Sequence, residues 1–173
     1  MSLAGTRRRC LSQIKTLGLP VPTDVPSICE RVMEIRGRPI RILRHRLPSN
    51  SPCGLWIATA DADYLVVQEG TSPAHQDLIL LHELGHVLFD SGEGPLSDEG
   101  LLKALVPLVD PATVTRMLGR SRYTLESEQT AEVFATLLFA RTNRWVPSLP
   151  RIVAPGAADI VGRIERVLET DDK

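Results

Sequence analysis

The sequence predicts an α+β fold: a small antiparallel β-sheet of about three strands packed on a bundle of helices. Two patterns carry that prediction. Between residues 39 and 69 three short β-prone runs are separated by clusters of Pro, Ser, Asn and Asp, as strands are by turns. From residue 72 onward Leu78, Leu81, Leu84 and Leu88 recur at helical spacing, with Ile79 and Val87 beside them. The chain has 173 residues and is 43% apolar, which fits one domain with a real core. Only 4% is aromatic, so Leu, Val, Ile and Ala must build that core.

Residues 1–9 read as disordered, and residues 1–24 as a flexible basic segment ahead of a single domain over 25–173. Leu11 to Leu17 adds one helical turn or more, and Pro20, Pro22 and Pro26 stiffen an extended connection. Ser27 is the expected N-cap of a helix over Ile28–Arg36 that Gly37 ends. Pro39–His45 alternates as a strand, and Pro48-Ser49-Asn50-Ser51-Pro52 is a turn. Leu55–Ala60 and Tyr64–Glu69, joined by Asp61-Ala62-Asp63, read as an antiparallel hairpin. Ser72 as N-cap with Pro73 at the first helical position then starts a helix over Ala74–Phe89. A loop is expected over Asp90–Gly100, a short apolar helix over Leu101–Val109, and another from Asp110-Pro111 to Gly119. A long helix follows over Leu125–Thr142, left at Pro147 and Pro150, and a last amphipathic helix spans Ala157–Leu168.

Net charge is −1, but residues 1–50 carry 10 Lys+Arg against 3 Asp+Glu and the remainder carries 10 against 18. A basic segment can meet an acidic partner. With no DNA-reading motif and few aromatic platforms, a solvated surface is expected instead, without direct nucleic-acid contact. Cys10, Cys29 and Cys53 form neither an even disulfide framework nor a Cys-x-x-Cys pair, which suits a reducing cytoplasm. No apolar run nears the ~18 residues of a membrane span. Arg7-Arg8-Arg9 is followed by no apolar stretch of a signal peptide, so neither membrane association nor secretion is expected.

The residues that carry chemistry are His82-Glu83-Leu84-Gly85-His86. On a helix, residues four apart share a face, with Cβ atoms roughly 6 Å apart. Two imidazoles so placed can bind one Zn²⁺ and leave Glu83 beside the metal's open position. A catalytic zinc needs a third protein ligand, and the long helix offers Glu126, Glu128 and Glu132. Glu128 is the preferred ligand. Glu132, on the same face, is the expected partner of a ligand imidazole N–H, a bond that would fix the ring's orientation. Glu83 is the expected general base, taking a proton from the attacking water and passing it to the leaving amine. Gly85 leaves room above the metal. Tyr123 and Arg122, just ahead of the long helix, are positioned to stabilise an oxyanion. His75, seven residues before His82 and so about 10 Å away along the helix axis, reads as surface. His45 reads as structural, and Cys53 as a buried, inert thiol rather than an inhibitory ligand of the zinc.

At these residues the chain resembles the ImmA/IrrE family of bacterial metallopeptidases. The likeness runs through Leu81-His82-Glu83-Leu84-Gly85-His86-Val87-Leu88. It resumes at Glu128-Gln129-Thr130-Ala131-Glu132-Val133-Phe134-Ala135-Thr136-Leu137-Leu138, and covers roughly residues 25–145. It implies a zincin-like fold, zinc, a base role for Glu83 and a ligand role for Glu128. It further implies a cytoplasmic regulatory protease that cleaves a helix-turn-helix repressor encoded nearby. Two positions depart from the family pattern: Phe139-Ala140 stands where Met-Pro is common, and Glu132 where Asn is common. The alternative is a non-hydrolytic metal-binding regulator that binds a repressor or antitoxin-like partner.

Overall fold

A computed structural model of the chain describes residues 2–48, 51–89, 109, 114–118 and 124–142. In it the elements follow the order α1 (Leu3–Leu17), α2 (Val25–Arg36), β1 (Ile40–His45), β2 (Gly54–Thr59), β3 (Asp63–Gln68), α3 (Pro73–Phe89), β4 (Val114–Leu118) and α4 (Leu125–Phe139). The fold is α+β, as the sequence predicts, but the sheet is mixed rather than antiparallel and has a fourth strand. Its order is β1-β3-β2-β4. The expected hairpin is present, with Gly54 opposite Val67 and Ala58 opposite Asp63. β1 runs parallel to β3 on the edge opposite β2, which is antiparallel to β3.

β4 corrects the helix expected between Asp110-Pro111 and Gly119. It pairs antiparallel with β2, Trp56 opposite Leu118, with a register shift between Ala58 and Thr59. The open backbone edge of β2 needs hydrogen-bond partners, and this ladder supplies them. Non-local pairing thus overrides the local Asp-Pro helix signal. The loop over Asp90–Gly100, the short helix over 101–108, the exit at Pro147 and Pro150 and the last helix over Ala157–Leu168 lie outside the described residues.

The basic N-terminal segment is not a loose tail. Ser2 caps α1, its hydroxyl accepting the Gly5 N–H, and Gly18 closes the helix at φ 62°. Thr6, Cys10, Ile14 and Leu17 form its buried stripe, and the Cys10 thiol lies 3.6 Å from the Thr130 carbonyl of α4. The spacing of that stripe is helical, so burial orders a segment whose arginines alone suggest disorder. α2 also starts earlier than expected. Asp24 is its N-cap, and Ser27 donates its backbone N–H to Asp24 Oδ1 at 2.8 Å rather than capping. That bond holds the exposed Asp24 carboxyl below its ordinary acidity range.

The sheet has two apolar faces. One packs Ile40, Trp56, Leu65 and Val67 against the helices, with Phe134 and Leu81 fully buried among them. The other gathers Leu47, Leu55, Ile57 and Val66 with Val109 and Val114. Two arginines of the basic half are structural. Asp63, fully buried, accepts the Trp56 indole N–H at 3.0 Å, with Arg36 and Arg38 at 3.4 and 3.1 Å from its other oxygen. Arg36 also donates to the Val87 carbonyl at 2.6 Å, tying the end of α2 to α3, and Arg38 caps the Thr59 and Ala62 carbonyls. No described helix is long and apolar enough to cross a membrane.

All three cysteines are free, but their surroundings differ. Burial pushes the Cys29 thiol from the ordinary 9.0 up to about 12, with Glu30 and Asp77 adding to the effect. Burial raises Cys10 too, partly opposed by Arg9. Cys53 is exposed, against the expectation of a buried thiol. At neutral pH an excess of Ellman's reagent is therefore expected to label one thiol quickly in the native protein and three in guanidinium; rapid native labelling of all three would contradict this packing. Because Cys29 stays protonated when folded but ionises above about 9 when unfolded, its stabilising contribution is lost as pH rises from 9.0 to about 12.

Candidate metal centre

The site lies where α3 meets α4 under the first residue of β2. Ser72 starts α3 as predicted: its hydroxyl accepts the His75 N–H at 3.3 Å and its carbonyl the Gln76 N–H at 2.9 Å. Thr124 caps α4 by accepting the Ser127 N–H at 3.1 Å. These two caps fix where both helices begin, and packing between the helices then directs His82, His86 and Glu128.

The helices approach closely because of Gly85. A methyl group placed there would lie 2.9 Å from Ala131 Cα and 3.2 Å from Ala131 Cβ. The expected role for Gly85, room above the metal, is therefore corrected: the glycine makes room for a neighbouring helix backbone. Any side chain at 85 would drive α4 outward and take Glu128 with it. Phe89 and Phe134, edge to face with centroids 5.3 Å apart, close the same interface one turn further on.

Three side chains with donor atoms converge across that interface. His82 Nε2 and His86 Nε2 are 3.1 Å apart. Glu128 places Oε1 3.4 Å from His86 Nε2 and Oε2 3.7 Å from His82 Nε2. Bonds of about 2.0–2.1 Å to a tetrahedral ion put neighbouring donors about 3.4 Å apart. The spacing between the imidazoles and those to the nearer carboxylate oxygens bracket that value, and one donor atom from each residue lies within 4.8 Å of the others, so His82, His86 and Glu128 form a group that could hold one metal ion. Glu126 and Glu132, the other two candidates, are not in it.

Glu132 does not take its expected place beside a ligand imidazole. It is exposed and stands on the wall of the cleft. The group near the far nitrogen of His86 is Ser127, whose Oγ is 3.4 Å from Nδ1. From the third position of α4, Ser127 faces back across the interface, while Glu132 lies more than a turn further along the helix. His86 itself is 1% exposed, so its ring is held by packing as well.

Glu83 is 4% exposed and lies at the base of the cleft, against Gly54. A methyl on Gly54 would fall 2.5 Å from Glu83 Oε1 and 2.5 Å from Ile79 Cγ2. The strand therefore needs glycine at this point to admit the carboxylate. Sequence reasoning missed both Gly54 and Ser127. A glycine opening a β-prone run, in Pro52-Cys53-Gly54-Leu55, is a signal of close approach, whereas nothing local marks Ser127.

The cleft has a volume of about 500 Å³. Its α3 wall carries His75, Leu78, Ile79, His82 and Glu83, and its α4 wall Glu128, Glu132, Ala135 and Thr136. His75 is exposed and not among the donors, as expected; Cys53 lies at the rim. His45 lies in β1, away from the cleft. Tyr123 and Arg122, the expected oxyanion stabilisers, fall outside the described residues.

Comparison with protein-family models, with curated proteins and with solved structures finds no match to this chain.

Proposed function

We propose that the chain is a zinc-dependent endopeptidase of the ImmA/IrrE type, cleaving a protein partner in the cytoplasm. A helix-turn-helix transcriptional repressor encoded nearby is the partner that the resemblance favours. The observation that carries this reading is the meeting, in one cleft, of two imidazole nitrogens and a carboxylate oxygen with a second, buried carboxylate that is not in the donor set. Two histidines and one acidic residue, with a position left open, are the donor set of catalytic zinc in peptide hydrolases. The free thiols of Cys10, Cys29 and Cys53 suit a reducing compartment.

His82, His86 and Glu128 would hold the ion, and Ser127 and the packing around His86 would orient that ring. Zn²⁺ bound there would supply a Lewis acid for the peptide carbonyl and lower the pKa of water towards ~7. Glu83 accepts the proton of the attacking water and returns it to the leaving amine nitrogen. A C–O bond forms, the C–N bond breaks, and the proton ends on the new amine. Gly54 fixes where that carboxylate sits, so the base is positioned before substrate arrives.

The test is incubation of the zinc-loaded protein with a candidate repressor, read by mass spectrometry. One defined cleavage is expected, abolished by 1,10-phenanthroline and restored by added zinc. Fully loaded protein that binds the repressor and leaves it intact would favour the non-hydrolytic regulator instead.

A further inference from the structure

Resting on the peptidase reading above, we infer that Glu132 makes the cleft selective for a basic side chain, arginine or lysine, in the substrate residue beside the scissile bond. Glu132 stands one helical turn beyond Glu128 on α4, on the same face, and shares the cleft with His82 and Glu83. It is exposed, and among the described residues its carboxylate has no hydrogen bond or ion pair.

The charges of the cleft give that carboxylate its meaning. With a divalent cation in place, Glu83 and Glu128 balance its two positive charges, and the two ligand imidazoles are neutral. Among the described residues of the cleft, Glu132 is then the negative charge left over. A substrate cation placed there is favoured, and an acidic side chain is repelled. The remaining walls suit the stem of such a side chain. Leu78, 38% exposed, offers apolar surface for methylenes beside the buried Ile79 and Ala135, while Glu132 meets the charged end.

The experiment compares three N-acetyl amino-acid hydroxamates on zinc-loaded protein by calorimetry. Their metal-binding group is the same, and their side chains are those of arginine, its neutral isostere citrulline, and glutamate. Binding is expected in the order arginine, citrulline, glutamate. The arginine advantage over citrulline should be about two- to fivefold, as for a partly solvated ion pair, and should shrink as salt is raised. In E132Q the arginine advantage should vanish, and in E132K glutamate should outrank arginine, with zinc stoichiometry kept in both. Equal binding of arginine and citrulline, or an arginine preference that survives in E132Q, would overturn the inference and leave the metal centre standing. Failure of all three hydroxamates to bind zinc-loaded protein would overturn the peptidase reading and the inference together.

Discussion

Replacing Glu83 with glutamine is expected to slow peptide hydrolysis by about 10²–10⁴-fold while zinc stoichiometry stays the same. Glutamine has the shape of glutamate but cannot take a proton from water at neutral pH. Because Glu83 lies outside the donor group of His82, His86 and Glu128, losing its charge leaves all three donors in place. Because it is buried against Gly54 and Ile79, an isosteric replacement keeps the packing that a smaller residue would not. Zinc content by atomic emission and cleavage rate on the same samples separate the two roles. Hydrolysis at the wild-type rate in E83Q would move the base elsewhere, and Glu132 and His75, two titratable groups on the described cleft walls, would be the next to examine.

The second large effect concerns the third ligand. Glu128→Ala is expected to weaken zinc binding by at least about a hundredfold, the share of one donor in the affinity of a protein zinc site. Glu126→Ala and Glu132→Ala should leave it within a few-fold of wild type. Glu128 is the cleaner deletion than His86, since Glu128 is 26% exposed and its loss leaves no buried cavity, whereas His86 is wholly enclosed. Competition against a chromophoric chelator gives the constants directly. In thermal unfolding the metal should raise the melting temperature of the wild type and not of Glu128→Ala, because only a ligand bound by the folded form stabilises it. Strong binding retained in Glu128→Ala and lost in Glu132→Ala would invert the assignment made from the distances.

What the sequence disclosed follows from the range over which each signal acts. Ser72-Pro73 and the Leu78–Leu88 periodicity are local, and α3 begins where they place it. The hairpin of β2 and β3 is local too, and its register follows from a short turn. The donor pair His82 and His86 is set by helix geometry alone. The long helix supplied three candidate glutamates, and only its packing against α3 picks Glu128. Non-local facts were hidden. The parallel pairing of β1 with β3, and the strand at Val114–Leu118, depend on edges that exist only once the sheet forms. The arginines of 7–9 masked an apolar stripe that includes Cys10 and Ile14. Gly85 and Gly54 matter because of what lies opposite them in space, Ala131 in one case and Glu83 in the other.

The central claim is that His82, His86 and Glu128 bind one zinc ion with a position left open. X-ray absorption at the zinc edge of the loaded protein tests it most directly. The account predicts four light donors at about 2.0–2.2 Å, two of them with the outer-shell pattern of imidazole, and no sulfur. A sulfur shell near about 2.3 Å would put Cys53 on the metal, and a six-oxygen shell would remove the histidines from it; either would contradict the site.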